Sequence, residues 1–213
     1  MTGILLVGGD SSRFGSPKAL ALLGGETLAV RAWRILGQAC EHRIAVGKAQ
    51  DALGLPFPVL DDGRPLRASI VGLVAGLGAA PTDLCVALPV DCPLVTAEAL
   101  DRLADACRDV AMSQLGPLPG AFRKRALPAL ERGELSIRRA IRSLDTAVVE
   151  IDSALLANVN TPADLTALEA RLQAASDPIQ LARTDQSSGA AVDRTTADSP
   201  SDASPHPPSK RRT

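Results

Sequence analysis

The sequence predicts an α/β protein: a mostly parallel sheet covered by helices on both faces, followed by a disordered tail. Three observations predict this. Short apolar runs alternate with longer amphipathic segments through about residue 173, the pattern of buried strands and crossover helices. The first apolar run, Ile4 to Val7, feeds straight into Gly8-Gly9. The last forty residues, 174–213, change character: twenty-one of them are Ser, Thr, Pro or Asp and none is aromatic. Such a segment buries too little apolar surface to offset its ordering entropy. The expected organisation is therefore a domain over residues 1–173 and a disordered tail over 174–213.

Element by element, Ile4 to Val7 is a buried strand, and Thr27 to Gln38 is a helix with Leu28, Val30, Trp33 and Leu36 as its apolar positions. Strands follow at Arg43 to Val46 and Phe57 to Leu60, then an apolar, glycine-containing helix at Ser69 to Ala80 and a buried strand at Leu84 to Leu88 that ends at Pro89. Ala97 to Arg108 is an amphipathic helix and Val110 to Leu115 a strand. Phe122 to Leu130 and Ser136 to Ser143 read as short helices, and Ala147 to Ile151 as a strand. A last helix starts at Thr161-Pro162-Ala163-Asp164, with Thr161 as N-cap and Pro162 at the first helical position, and runs to about Gln173.

Composition narrows the function. The 213 residues carry 23 Lys and Arg against 24 Asp and Glu, a balance that argues against a protein built to grip nucleic-acid phosphates. Aromatics make up 2%, too few for a base-stacking platform. Cys40, Cys85, Cys92 and Cys107 lack zinc-knuckle spacing, and the two histidines, His42 and His206, lie far apart. Cys85, in an apolar run, reads as a buried small hydrophobe, and Cys92 as partly exposed. The apolar start, Met1 to Val7, is too short for a signal peptide and has no basic residues before it; no run reaches the roughly 18 apolar residues of a membrane span. The expectation is a cytoplasmic protein without membrane or nucleic-acid partners. The basic tip Lys210-Arg211-Arg212 reads as solvated.

In a parallel sheet the ligand crevice lies outside the carboxyl ends of the strands, and two loops there are chemically unusual. The first is Gly8-Gly9-Asp10-Ser11-Ser12-Arg13-Phe14-Gly15-Ser16-Pro17-Lys18. Its glycines let backbone approach a ligand, and its hydroxyls, Arg13 and Lys18 supply donors for anionic oxygens, which suits a triphosphate. It is neither a Walker A loop nor G-x-G-x-x-G; on composition alone a surface loop that happens to carry cations explains it equally well. The second is Pro89-Val90-Asp91-Cys92-Pro93-Leu94, a lone carboxylate held between prolines after a buried strand. Asp91 is a hard oxygen ligand of the kind Mg²⁺ takes alongside substrate phosphates. A helix-capping Asp is the alternative, but Thr96 already fills that cap.

The stretch Leu6 to Gly25 resembles the signature of MobA-like nucleotidyltransferases, L-A-G-G-x-S-x-R-M-G-x-D-K-A-L followed by a glycine-containing turn, with Val7, Phe14 and Pro17 as departures. Val90 to Pro93 is similar to the family's C-D-x-P metal motif, and Asn158-Val159-Asn160-Thr161-Pro162 to its N-V-N-T-P segment. The likeness covers residues 3 to 172. It implies a Rossmann-like fold of the nucleotide-diphospho-sugar transferase type and transfer of GMP from GTP to the phosphate of molybdenum-bound molybdopterin, with release of pyrophosphate. It implies Arg13, Lys18 and Asp91 as catalytic residues, Asp91 as the Mg²⁺ ligand, and Leu6, Val7, Gly8, Gly9, Lys18, Asp61 and Asp91 as nucleotide contacts. Asp62 is the alternative to Asp61, and a solvated turn is a third reading of both. Molybdoenzyme maturation proteins are the implied protein partners.

Two departures bear on base recognition. Where the family has G-P-L-x-G, this chain has Arg64-Pro65-Leu66-Arg67-Ala68, whose arginines could instead meet a phosphate of the second substrate. At Gly47, where relatives carry a polar base-contacting side chain, only backbone is on offer. A sister activity with CTP, transfer to another phosphorylated acceptor, or a non-catalytic nucleotide and molybdopterin carrier are the competing readings.

Overall fold

The computed structural model describes residues 1–8 and 14–176. The chain divides into two units, Met1–Arg171 and Leu172–Thr213; of the second, only the end of the last helix is described. In chain order the first strands are β1 (Thr2–Leu6), β2 (Leu22–Leu23) and β3 (Glu26–Thr27), leading into helix α1 (Leu28–Ala39). Then come β4 (His42–Gly47), β5 (Val59–Asp61), α2 (Ser69–Ala79), β6 (Leu84–Pro89) and α3 (Ala97–Ala106). The remainder is β7 (Val110–Ser113), β8 (Gly116–Arg123), α4 (Leu127–Leu130), α5 (Ile137–Ala140), β9 (Thr146–Val149) and α6 (Pro162–Ser176).

The seven-stranded sheet has the order β5-β4-β1-β6-β8-β7-β9, and only β8 runs against its neighbours. Strand order grows outward from β1 through β4 to β5, then crosses back to β6 on the other side of β1. The switch point therefore falls between β1 and β6, where Leu6 pairs with Pro89. Side chains alternate across β1: Gly3 meets Leu36 of α1, while Ile4 meets Gly76 of α2. Helices α1 and α2 thus lie on opposite faces, and Ile4, Leu5, Leu73, Leu88 and Leu100 are fully buried between layers, each worth about 1.5–3 kcal/mol of transfer from water. A Cβ on Gly76 would lie 2.5 Å from Ile4 Cγ2, so this glycine sets how closely α2 approaches the sheet.

Most expected elements form within a few residues of their predicted ends, helped by local chemistry. Thr27 Oγ1 accepts from Val30 N–H at the start of α1, and Thr96 Oγ1 from Ala99 N–H at the start of α3. The α1 core face is wider than its bulky residues suggest: Ala29, Ala32 and Ile35 join Leu28 and Leu36, while Trp33 stacks on Phe57 at 4.2 Å with Arg43 over its ring. Phe57 thereby precedes β5 instead of belonging to it.

One assignment is corrected. Phe122 does not begin a helix; it is fully buried in β8, paired with Cys85 and Val110, and helical turns start only at Lys124. The segment Gly116-Pro117-Leu118-Pro119-Gly120 carries two prolines and two glycines and little strand propensity. It belongs to β8 because its ends are paired, Gly116 with Ser113 of β7 and Gly120 with Met112 of β7 and Ala87 of β6, across a register shift; a Cβ on Gly120 would sit 3.0 Å from Ala111 O of β7. The last helix runs to Ser176, beyond the expected end; the expected disorder of 177–213 lies outside the described residues. No described helix is long and apolar enough to cross a membrane.

Candidate functional site

The two unusual loops leave adjacent strands at the switch point. Val90 N–H donates to Leu6 O (3.3 Å), so the acidic loop continues the pairing of β1 and β6 by one residue. Residues 9–13, which include Gly9 and Arg13, fall outside the described residues. After them Gly15 takes a positive φ of 72°, a turn that suits glycine. Pro17 O accepts from Leu20 N–H, closing a short 3₁₀ turn at Lys18–Leu20. Gly24 and Gly25, both at positive φ, then close the β2–β3 hairpin, the conformation of a two-residue turn between strands.

The 3₁₀ turn presents Lys18 to the acidic loop. Its ammonium lies 3.4 Å from Asp91 Oδ2 and 3.4 Å from Asn160 Oδ1. Asp91 remains 29% exposed and Lys18 14%. Three sequence-distant segments thus converge on one cation. The Asn158–Thr161 segment is fixed by main-chain and side-chain bonds: Val159 N–H donates to Asp91 O (2.8 Å), and the Cys92 thiol donates to Asn158 Oδ1 (2.9 Å). Cys92 is 2% exposed, contrary to its expected partial exposure. Burial and the neighbouring Asp91 charge push its thiol far up, so it serves as a neutral donor. Asp164 accepts from the N–H groups of Asn160 and Thr161, and Thr161 Oγ1 returns the bond to Asp164 N–H. This reciprocal cap starts α6 and holds the Asp164 carboxyl below its usual range, chiefly through Asn160 N–H. Arg31 of α1 donates to Pro93 O (2.9 Å), fastening the far side of the acidic loop.

At the other end of the crevice β1 and β4 approach closely through glycine. A Cβ on Gly8 would sit 3.2 Å from Gly47 Cα, and one on Gly47 would sit 2.8 Å from Val7 Cγ2. The departures at positions 7 and 47 therefore belong together: the extra methyls of Val7 occupy the room a side chain at Gly47 would need.

The adjacent acidic residues separate in role. Asp61 ends β5 exposed, its Oδ1 accepting from Gly63 N–H (3.2 Å). Asp62 turns inward, 6% exposed, onto Lys48, which is 5% exposed. Lys48 Nζ lies 2.7 Å from Asp62 Oδ1 and also donates to the carbonyls of Arg64 and Leu66. Sequence reasoning passed over Lys48, because a lysine after a strand gives no sign that it will be buried. Arg67 forms a bidentate pair with Asp51 (3.0 Å for one bond), which holds that carboxyl low; its guanidinium is committed within the fold, whereas Arg64 is exposed.

Among the described residues no three His, Cys, Asp or Glu side chains cluster to hold a metal. The oxygens of Asp91 and Asn160 do converge on a cation. One hard carboxylate with a neighbouring amide oxygen fits a Mg²⁺ that takes its other ligands from phosphates and water.

A mostly parallel sheet with a lysine and a hard carboxylate gathered at its switch point is the framework of a nucleotidyltransferase. The chain matches the MobA-like NTP transferase domain over residues 3–151 and belongs to that family. It is 33% identical over 189 residues to a probable molybdenum cofactor guanylyltransferase of Rhodopirellula baltica, covering 78% of this chain and 90% of the relative. A protein of the same description from Mycobacterium marinum is 34% identical over 195 residues, with 78% and 92% covered. In fold the chain is similar to molybdopterin-guanine dinucleotide biosynthesis protein A of Archaeoglobus fulgidus (TM-score 0.70, 23% identity, 81% of this chain and 99% of that one).

Proposed function

We propose that the protein transfers GMP from GTP to the phosphate of molybdenum-bound molybdopterin, releasing pyrophosphate. The observation that carries this reading is the convergence of Lys18, Asp91 and Asn160 at the switch point; the guanylyltransferase relatives support the choice of substrates. An oxygen of the acceptor phosphate attacks the α-phosphorus, a new P–O bond forms, and the bond to the β-phosphate oxygen breaks. The acceptor is already anionic, so no protein nucleophile is needed. The chain's task is to align the two phosphates and stabilise charge on the leaving group.

Lys18 pairs with the triphosphate and more strongly with departing pyrophosphate, a gain that is largest in the transition state. Arg13 and the amides of Gly8 and Gly9 assist it, and Leu6 and Val7 bring the chain to the phosphates. Asp91 is the metal ligand; bound there, Mg²⁺ supplies Lewis-acid neutralisation of phosphate oxygens. Asp61 is the base contact, because Lys48 already engages Asp62. The transferase domain spans residues 1–173, and 174–213 is an appendage the reaction does not use.

Pyrophosphate release from each of the four NTPs, with Mg²⁺ and with or without molybdopterin, tests the reading. The expected result is release from GTP only when the acceptor is present. Release from CTP instead reassigns the base, and GTP binding without any release turns the protein into a carrier.

A further inference from the structure

The turn after β5 is shaped from outside. Lys48, the residue after β4, sends a nearly buried ammonium into it and meets three acceptors there: Asp62 Oδ1, Arg64 O and Leu66 O. The same Asp62 oxygen accepts from Arg64 N–H (3.1 Å), and Asp62 N–H donates to Gly47 O (3.0 Å). Gly63 takes a positive φ of 69° between them. One cation thus winds residues 62–66 around itself, running into the segment that departs from the family's G-P-L-x-G at Arg64. It does so beside a cleft of about 340 Å³ whose walls include Ala49, Gln50, Asp61, Gly63 and Pro65, within the roughly 300–1,000 Å³ range of small-ligand sites. Gly47 offers no side chain at this end, and Val7 leaves no room for one. Asp61 supplies a carboxylate to the walls of this cleft.

We infer that Lys48 is a positioning residue for nucleobase selection: by gathering Asp62 and the carbonyls of Arg64 and Leu66, it fixes the 61–66 turn so that the cleft beside Asp61 accepts a guanine edge. The inference rests on the proposed use of GTP. The chemistry is that of a carboxylate facing the N1–H and 2-amino donors of guanine, which adenine lacks at the corresponding positions. A site built on such donors discriminates strongly only if its acceptor is held still. Among the described residues Asp61 has one side-chain bond, to Gly63 N–H, within the same turn, so its placement depends on how the turn is fastened.

Removing one partner of a buried pair destabilises strongly, whereas replacing both with apolar residues of similar volume is often close to neutral. The test is therefore the full-length double variant Lys48→Met/Asp62→Leu, compared with wild type by calorimetry against GTP, ATP and inorganic tripolyphosphate in the presence of Mg²⁺, with melting temperature as a control. The expected result is a GTP dissociation constant raised about tenfold or more, a GTP-to-ATP preference falling toward one, and tripolyphosphate affinity changed by less than about twofold, because the phosphate end does not use Lys48. If the double variant does not fold, Lys48→Arg, which keeps the charge on Asp62 paired but whose planar fork cannot gather all three acceptors at one point, is expected to show the same pattern. Retained GTP preference overturns the inference while leaving the proposed function standing, and so does equal loss of GTP and tripolyphosphate. A wild-type chain that binds GTP no better than ATP overturns the guanine reading itself, and this inference with it.

Discussion

The two ends of the crevice each place a lysine beside an aspartate, in opposite regimes. At the β1–β6 end, Lys18 and Asp91 stand 3.4 Å apart and partly exposed, sharing the cation with an exposed asparagine. At the β4–β5 end, Lys48 and Asp62 meet at 2.7 Å with both side chains nearly buried, and two carbonyls complete the ammonium's acceptors. A long, partly exposed pair contributes less to stability than a short buried one. A short buried pair has already lost its water, and breaking it strands a charge. The same two residue types thus stand open to a proposed ligand at one end and shape the fold at the other.

Asp91→Asn is the sharpest way to break the comparison. It keeps shape but removes the charge proposed to hold Mg²⁺, so turnover should fall by at least about a hundredfold with the melting temperature nearly unchanged. Wild-type rates at saturating Mg²⁺ would remove Asp91 from the metal site.

The lysines give the next contrast, read by denaturant unfolding. Lys48→Met should cost about 3 kcal/mol or more, because Asp62 is left buried and unpaired. Lys18→Ala should stay within about 0.5 kcal/mol of wild type, yet weaken GTP binding and slow turnover further. Equal stability losses would erase the distinction between the two ends.

The smallest effect is in acid. Asp51 is held below its usual value by Arg67, and Asp164 by the N–H groups of Asn160 and Thr161. A carboxyl lowered by folding contributes stability above its unfolded value of 3.8, and that contribution is lost as pH falls through the folded value. The melting temperature should be flat from neutral pH down to about 5 and decline below about 4. Asp51→Asn should make the decline shallower, and an unchanged profile would show that the Arg67 pair does not stabilise the native chain.

What the sequence carried was local. Apolar runs ending in glycine or proline marked β1 and β6, hydroxyl caps marked α3 and α6, and the Gly8–Lys18 and Pro89–Leu94 segments stood out because their chemistry is unusual for a turn. These signals are written in neighbouring residues, which is why they survive without a structure. Other features depended on partners distant in sequence. Phe122 joined a strand because β6 and β7 flanked it, against the propensity of its own prolines and glycines. Cys92 was buried because Asn158 lies over it, and the Val7 methyls matter because Gly47 lies against them. Asp61 and Asp62, indistinguishable side by side, were separated by a lysine fourteen residues earlier that only the packing of β4 against β5 brings into reach. Local pattern fixes most strands and helices; burial, and with it the difference between a charge left open at the crevice and one that shapes the chain, is set by which segments the tertiary fold stacks together.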